Sequence, residues 1–515
     1  WILRSTIWPR ASITNMFYAL LVIVLVLAVL YKYANNTFDY WKKRNVPFHP
    51  PVTFFGNLRD SITMKRSLGQ IYTEIYNSYP NAPYVGFFKM RKPGLLIRDI
   101  EIIKNIFIKD FNSFQKNDFF VDENVDPIFS RNPFVQHGER WKTSRSQLSY
   151  CFTSGKMKHM FPLMHAISQN MVKYIENEIK LGGNPFETKE LAGKFTSDNV
   201  ATCAFGMDGK SFEDPNSEFR SVGRRILQPS ISLNIKMLLM TLFPACTKLL
   251  KIRFVPQDAA DYFKNIIQTT LKYRKDNKIV RNDFLDVVTQ MKFKSDDPPL
   301  DEDDITAHAI SFFGDGFETS SIALSFTLYN LAANLDVQEK LRDEIHKTIE
   351  SNDGELTYES VQSMTYLDCV LSESLRMHPP GVSLSKICTA TYNLPPCDES
   401  GKEVEIEADT PIVIPVYGLH NDPKYFPNPE VFDPERFSDH STIVKGSYLP
   451  FGEGARICVG MKFAILQVKI AIISIVQNFD IRVNKKTKQP LEIDPTHFLL
   501  LAKGGLWLDY HKLDK

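Results

Sequence analysis

Two hydrophobic periodicities alternate along this 515-residue chain and predict most of its elements. Apolar residues recur every three or four positions over Met157–Leu181, Pro256–Lys278, Ile305–Asn334, Gln338–Ser351, Tyr358–His378 and Val459–Asn478, the spacing of one helix face. Short runs at Tyr84–Phe88, Leu95–Arg98, Val404–Ile406, Pro411–Val416 and near the C-terminus predict strands. The expected fold is mainly α with minor β sheets, without repeats or low-complexity tracts. Two stretches break the pattern by being apolar almost throughout. One is MFYALLVIVLVLAVLYKY, from Met16; the other is IKMLLMTLFPACTKLL, Ile235–Leu250, interrupted by Pro244. The second reads equally as a core helix or as an exposed apolar loop that dips into a membrane.

Met16 to Tyr31 carries no charge, which is slightly short for a span of ~20 residues. A signal peptide is the rival reading, but it needs a small-residue cleavage site. Basic residues follow instead: Lys32, Lys42, Lys43 and Arg44. Residues 16–34 are therefore expected to be a transmembrane anchor, with the positive flank keeping the body cytoplasmic. Residues 35–51, with Pro47, Pro50 and Pro51, read as a basic, stiff linker, and 52–515 as the body. Residues 1–15 have no evident role and read as an upstream extension of the gene model.

Composition narrows the partners. A net charge of +1 gives no support to nucleic-acid binding. Seven scattered cysteines without a CxxC pair argue against a disulfide framework and for a reducing compartment.

The densest chemistry is LPFGEGARICVG, Leu449–Gly460, ahead of a long apolar helix. A cysteine at a helix N-terminus is expected to have a lowered pKa. A thiolate is a good ligand for haem iron, and Gly454 and Gly460 would let backbone approach a flat macrocycle. The pattern FxxGxRxCxG, matched at Phe451, Gly454, Arg456, Cys458 and Gly460, resembles the cysteine loop of the cytochrome P-450 family. Other motifs follow in the family's order. ESLR supplies Glu373 and Arg376, and FDPERF supplies Arg436; the resemblance implies a buried glutamate–arginine–arginine network from these three. RWKTSR supplies Trp141 and Arg145, four apart on one helix face, and the resemblance puts both on a haem propionate, with Arg456 on the other.

The resemblance covers nearly the whole chain. The anchor, hinge and body look like the microsomal members; the PERF loop and FETSS helix look like the insect members related to vertebrate drug-metabolising enzymes. It implies a cytochrome P-450 fold with an N-terminal transmembrane helix, placed in the endoplasmic reticulum membrane. It also implies haem b (iron protoporphyrin IX) ligated by the Cys458 thiolate. Electrons would come from NADPH through a partner reductase, with cytochrome b5 as a second donor, because no flavin or dinucleotide motif is present. Lys142, Lys462 and Lys469 are candidates for docking that reductase.

Within the Ile305–Asn334 helix, FFGDGFETSS breaks helix rules with Gly314, Asp315, Gly316 and Glu318. The resemblance has this helix cross the distal haem face, with Gly316 opening it locally. Thr319 would turn a hydroxyl toward dioxygen, and Glu318 would relay protons to it. A threonine bonded to its own i−4 carbonyl is the plainer alternative. Asp315 departs from the family pattern. It either shapes the helix through a local bond, lines the substrate pocket and favours basic or hydroxylated substrates, or meets the haem edge as an ester. Phe119, Phe120, Phe134 and Phe312 are expected as apolar pocket walls.

The function expected is a monooxygenase that hydroxylates or epoxidises a small lipophilic substrate: xenobiotic, hormone precursor or fatty acid. A haem-thiolate isomerase or dehydratase is one alternative, against which the Glu318–Thr319 pair counts. A non-catalytic haem protein that binds apolar ligands is the other.

Overall fold

A 26-residue helix, Arg10–Asn35, opens the chain in the computed structural model, which describes residues 10–227, 230–281, 283–290, 300–398 and 401–514. Residues 1–9 of the expected extension lie outside the described residues, and 10–15 continue the apolar helix. Its stretch Asn15–Asn35 is long and apolar enough to cross a membrane, and the most apolar 18 residues of it are not buried against the body. Burial begins at Ala34. The stretch expected as a linker is packed: Trp41 is fully buried, and its indole N–H donates to the Phe87 carbonyl at 3.2 Å. Its ring also fills the space a Cβ on Gly86 would need. The packed body therefore starts before residue 52.

Five strands form the sheet beside this entry, in the order Tyr84–Lys89, Lys92–Ile97, Pro411–Ile414, Leu384–Ile387, Lys116–Asn117. Leu95 pairs with Ile412 in parallel register, while the other pairings are antiparallel. Pro415 stops the strand expected to reach Val416, and Val416–His420 turns into a short helix. Smaller sheets join Phe186–Glu187, Trp507–Lys512 and Phe479–Val483, and pair Tyr392–Leu394 with Val404–Ile406.

The helical layer surrounds one long helix, Glu302–Ala333, which at 1.5 Å per residue runs about 48 Å. It starts three residues before the expected Ile305, because Asp301 and Asp304 cap it reciprocally and three acids fill its first turn. It continues without interruption through Gly314 and Gly316, so the expected local opening is absent. The pattern over Tyr358–His378 resolves into two helices, Tyr358–Ser363 and Thr365–Met377, separated by extended Met364. Thr188–Val200, a helix buried on all sides from Leu191 onward, was not among the expected ones.

Ile231–Leu242 and Pro244–Leu249 are amphipathic only weakly, and the core-helix reading of this segment fails. Ile231, Ile235, Phe243, Leu249 and Leu250 are all exposed, Leu249 at 81%. Leu242 nevertheless packs against the same apolar cluster as Phe38 and Trp41, which brings this exposed surface to the base of the N-terminal helix.

Candidate functional site

The Leu449–Gly460 loop is shaped by backbone bonds that present one side chain. The Cys458 N–H donates to the Phe451 carbonyl at 2.9 Å, and the Ile457 N–H to the Gly454 carbonyl at 3.1 Å. Gly454 has φ +69°, and a Cβ there would lie 2.2 Å from the Phe107 carbonyl oxygen. Its glycine is thus required by a turn against protein backbone rather than by a flat ligand. At Gly460 a Cβ would meet nothing within 4 Å, so that side of the loop is open.

Cys458 is enclosed by protein and yet accessible, which makes it part of the wall of an interior cavity. Burial pushes its thiol up to about 11, and the Asp315 carboxylate adds to this, whereas the Gly460 N–H and Arg145 oppose it. The expected lowering by the helix terminus is overruled, because desolvation is the larger effect. Asp315 and Arg145 are thus both close enough to Cys458 for their charges to act on its thiol. Asp315 has the same double character: it is accessible, but burial raises its carboxyl to about 6.

Arg456 is stacked over Trp141 at 4.4 Å, and its guanidinium donates to the carbonyls of Pro133 (2.9 Å) and Gln136 (2.6 Å). Its buried Nε has no partner. Burial, followed by the charge of Arg145, holds Arg456 down to about 10. A third cation was missed by sequence reasoning. Lys386 projects from the Leu384–Ile387 strand, is buried, and donates to Asn117 Oδ1 at 2.8 Å. Burial and then Arg456 bring it down to about 7. Among the described residues no carboxylate pairs with Arg145, Arg456 or Lys386. Buried cations left without an anion are costly unless a ligand supplies one. Three neighbouring cations, Arg145 near Cys458, Arg456 near Arg145 and Lys386 near Arg456, together with an orphaned guanidinium N–H and an open glycine face, fit a flat group carrying two carboxylates, as haem does.

Behind the loop, Glu373 and Arg376 are both fully buried and paired at 2.7 and 2.8 Å. Arg436 donates to the same carboxylate at 3.3 Å, as does the Asp433 N–H at 3.1 Å. Arg376 also donates to the carbonyls of His420 (3.0 Å) and Pro429 (2.8 Å). His420, also missed in the sequence, ties this network to the cysteine loop. The Leu449 N–H donates to His420 Nε2 at 2.8 Å, so Nε2 is the acceptor and Nδ1–H donates to the Arg376 carbonyl at 3.2 Å. That arrangement requires neutral histidine, and burial lowers its pKa to about 3.

On the central helix, Thr319 is half-buried and its hydroxyl donates to the Asp315 carbonyl, the local i−4 bond. Glu318 points elsewhere. It pairs with Lys189 at 2.9 Å and lines a cavity of about 130 Å³ together with Glu190, Arg220 and Arg224. Gln467, a further residue without a sequence signal, donates to the Gly316 carbonyl (3.2 Å) and to Ser320 (2.8 Å).

Phe119 lies beside Phe129, Phe134 and Phe254, with ring centroids 6.1–6.2 Å apart, and Phe120 and Phe134 are exposed. Phe312 is not a pocket wall. Its ring sits in a buried aromatic cluster with Phe152 (5.1 Å), Phe284 (4.9 Å) and Phe463 (4.7 Å), contributed by three other segments. Lys469 is likewise removed from the docking candidates, because it is buried and paired with Asp368 at 2.6 Å. Lys142 and Lys462 are exposed.

The family model for cytochrome P450 matches residues 46–508. Cytochrome P450 6j1 of Blattella germanica is 38% identical over 502 residues, covering 96% of this chain and 99% of that protein. Cytochrome P450 6k1 of the same insect is 36% identical, covering 96% of this chain and 97% of its own. Cytochrome P450 6a2 of Drosophila melanogaster is 34% identical, covering 97% and 99%. With a family model over most of its length and insect relatives matched end to end, this chain belongs to the cytochrome P450 family and is of the insect type.

Proposed function

We propose that the chain is a membrane-anchored haem-thiolate monooxygenase acting on small lipophilic substrates. Family membership implies monooxygenase chemistry, a thiolate-held haem and electrons from NADPH through a reductase. The observation that carries the assignment to residues is the succession of cations without a carboxylate partner that starts beside Cys458: Arg145 and Arg456, half-buried, and Lys386, buried. In this reading Cys458 would provide the thiolate that holds the iron, and Trp141, Arg145, Arg456 and Lys386 would hold the two propionates. Phe451 and Gly460 would lie against the haem, and Phe119, Phe120 and Phe134 would line the substrate side. When bound, the haem supplies dioxygen activation and insertion of one oxygen atom, the other leaving as water. A rotation about χ1 frees the Thr319 hydroxyl from the Asp315 carbonyl to hold a water, and Glu318 draws protons from its charged cavity.

Residues 16–34 would anchor the protein in the endoplasmic reticulum membrane, with the catalytic body on the cytoplasmic side. The exposed Ile231–Leu250 surface at the base of the helix would rest on the same lipid. Lys142 and Lys462 would face the reductase.

Reconstitution with an NADPH-dependent reductase tests the reading. Substrate-dependent NADPH consumption with an oxygenated product is expected, whereas rearranged peroxide without NADPH use, or no product at all, would refute it. Thr319→Ala is expected to lower product formed per NADPH about ten-fold, with substrate affinity within about twofold. Lys386→Met removes a buried charge, so the haem-free protein should become no less stable in urea. Its haem should dissociate about ten-fold faster, the size of one charge-assisted hydrogen bond.

The titration of Lys386 has a definite sign. Folded, it releases its proton near pH 7, whereas an unfolded lysine keeps it to about 10.4. The unfolded chain binds more protons between these values, so this residue makes the haem-free fold more stable as pH rises from about 7 to 10. That increment should vanish in Lys386→Met.

A further inference from the structure

Four of the six acids of the central helix and its cap are matched with a base. Asp301 and Asp304 share Arg131, each at 2.7 Å, Asp303 is bound by Lys264 at 2.6 Å, and Glu318 by Lys189 at 2.9 Å. Glu302, at the exposed end, accepts from Gln268. Asp315 differs. Among the described residues no cation reaches it, and its one polar contact is the Asn132 amide at 3.5 Å, the outer limit of a hydrogen bond. Asn132 is itself held, its Oδ1 accepting from the Phe134 N–H at 2.7 Å, so it cannot close on the carboxylate without breaking that bond. Arg131, next to Asn132 in the chain, is committed to the helix start.

Asp315 is nevertheless accessible while enclosed by protein, as Cys458 is, lies close enough to act on the Cys458 thiol, and sits one helical turn before Thr319 on the same side. The surroundings of Cys458 are therefore polarised. Their cations, Arg145, Arg456 and Lys386, belong to the cysteine-loop side, and their uncompensated anion belongs to the central helix. A desolvated carboxylate without a partner is unfavourable, and the interaction that restores most is a charge-assisted bond from an ammonium group. The neighbouring loop supplies apolar surface through Phe119 and Phe134.

We infer that Asp315 is a specificity-determining anchor for substrates that join a protonated amine to an apolar body. This rests on the monooxygenase reading above, naming the substrate class of the same cavity. The local-bond alternative is disfavoured by the long, single contact to Asn132.

The test uses the haem-loaded full chain and three probes: N,N-dimethyl-phenylbutylamine, the hydrocarbon with C–H in place of its nitrogen, and phenylbutanol. Affinity is read both by the haem absorption shift and by equilibrium dialysis. The wild type should bind the amine at least about ten-fold more tightly than either neutral probe, one charged hydrogen bond's worth. Asp315→Asn should erase that preference while moving hydrocarbon affinity less than about twofold, and Asp315→Glu should restore it in part. An amine-to-hydrocarbon ratio unchanged in Asp315→Asn overturns the inference, and so does an alcohol bound as tightly as the amine. Haem that resists extraction into acidified organic solvent would also overturn it, because the carboxylate would then be consumed in an ester. Loss of the thiolate-type spectrum with the amine preference intact by dialysis would instead refute the monooxygenase reading and leave the anchor standing.

Discussion

Serine at position 458 is expected to abolish the thiolate-type absorption band of the reduced, carbon-monoxide-treated protein and to lower turnover by at least about three orders of magnitude, some 4 kcal/mol of barrier. The cysteine loop keeps its form without the sulfur. Its shape depends on the Cys458 N–H to Phe451 bond, the positive φ of Gly454 and the Leu449 bond to His420, none of which uses the sulfur. Cys458→Ser should therefore fold as the parent does, with urea stability within about 1 kcal/mol. What changes is the ligand. The cavity holds the thiol up to about 11, so helix dipole and neighbours alone leave it protonated at neutral pH. Only a metal cation against the sulfur would make it a thiolate, since a coordinating thiol is deprotonated outright. A serine hydroxyl is far less acidic and a harder donor, and it should not substitute. A folded Cys458→Ser that kept the band would remove Cys458 from the axial position and assign the ligand elsewhere.

How much of this was legible in the sequence follows from how the information is distributed along the chain. The cysteine loop is twelve consecutive residues, so its motif is visible without any fold. Long helices with one buried face, such as Ser154–Lys180 and Gln257–Asn277, appear within three residues of their expected ends because their periodicity is strong. Thr188–Val200 escaped because it has no polar face to give it a period. Lys194 donates to the Ser211 carbonyl at 2.8 Å, Asp198 accepts from the Ser211 N–H at 3.1 Å, and Thr196 donates to the Phe317 carbonyl at 3.1 Å. Polar residues buried with partners from elsewhere look, in one dimension, like a surface.

The same limit governs the site. Lys386 and His420 are ordinary residues in ordinary strings, and they acquire meaning only from Arg456, Arg376 and Leu449, which lie 29 to 70 positions away in the chain. Phe312 was misjudged for a related reason: its helix position suited a pocket wall, but three phenylalanines from other segments enclose its ring. Asp315 was conspicuous as a rule-breaker, yet its surroundings could not be read until Asn132 and Cys458 were placed beside it.

Replacing Glu373 with alanine should cost about 3–5 kcal/mol of stability, enough to unfold many domains of ordinary stability. Glu373 is the only carboxylate bound to Arg376 among the described residues, and both are fully buried. Removing it leaves one guanidinium in the interior with carbonyl partners but no counter-charge, and frees Arg436 and the Asp433 N–H at the same time. Exchanging Arg376 for lysine should cost nearly as much, because an ammonium cannot keep paired bonds to the carboxylate while also reaching His420 and Pro429. The double substitution Glu373→Ala with Arg376→Ala should be less damaging than the two single losses added, since it leaves no unpaired charge. Urea titrations of the four proteins close that cycle. The cysteine loop should register the damage before the fold does. Arg376 positions His420 through both a donated and an accepted bond, and His420 receives the Leu449 N–H at the loop's first residue. In mild urea, where the Glu373→Ala protein is still folded by circular dichroism, haem release should already be faster than in the parent. Equal release rates under those conditions would show that the network stabilises the body without holding the loop.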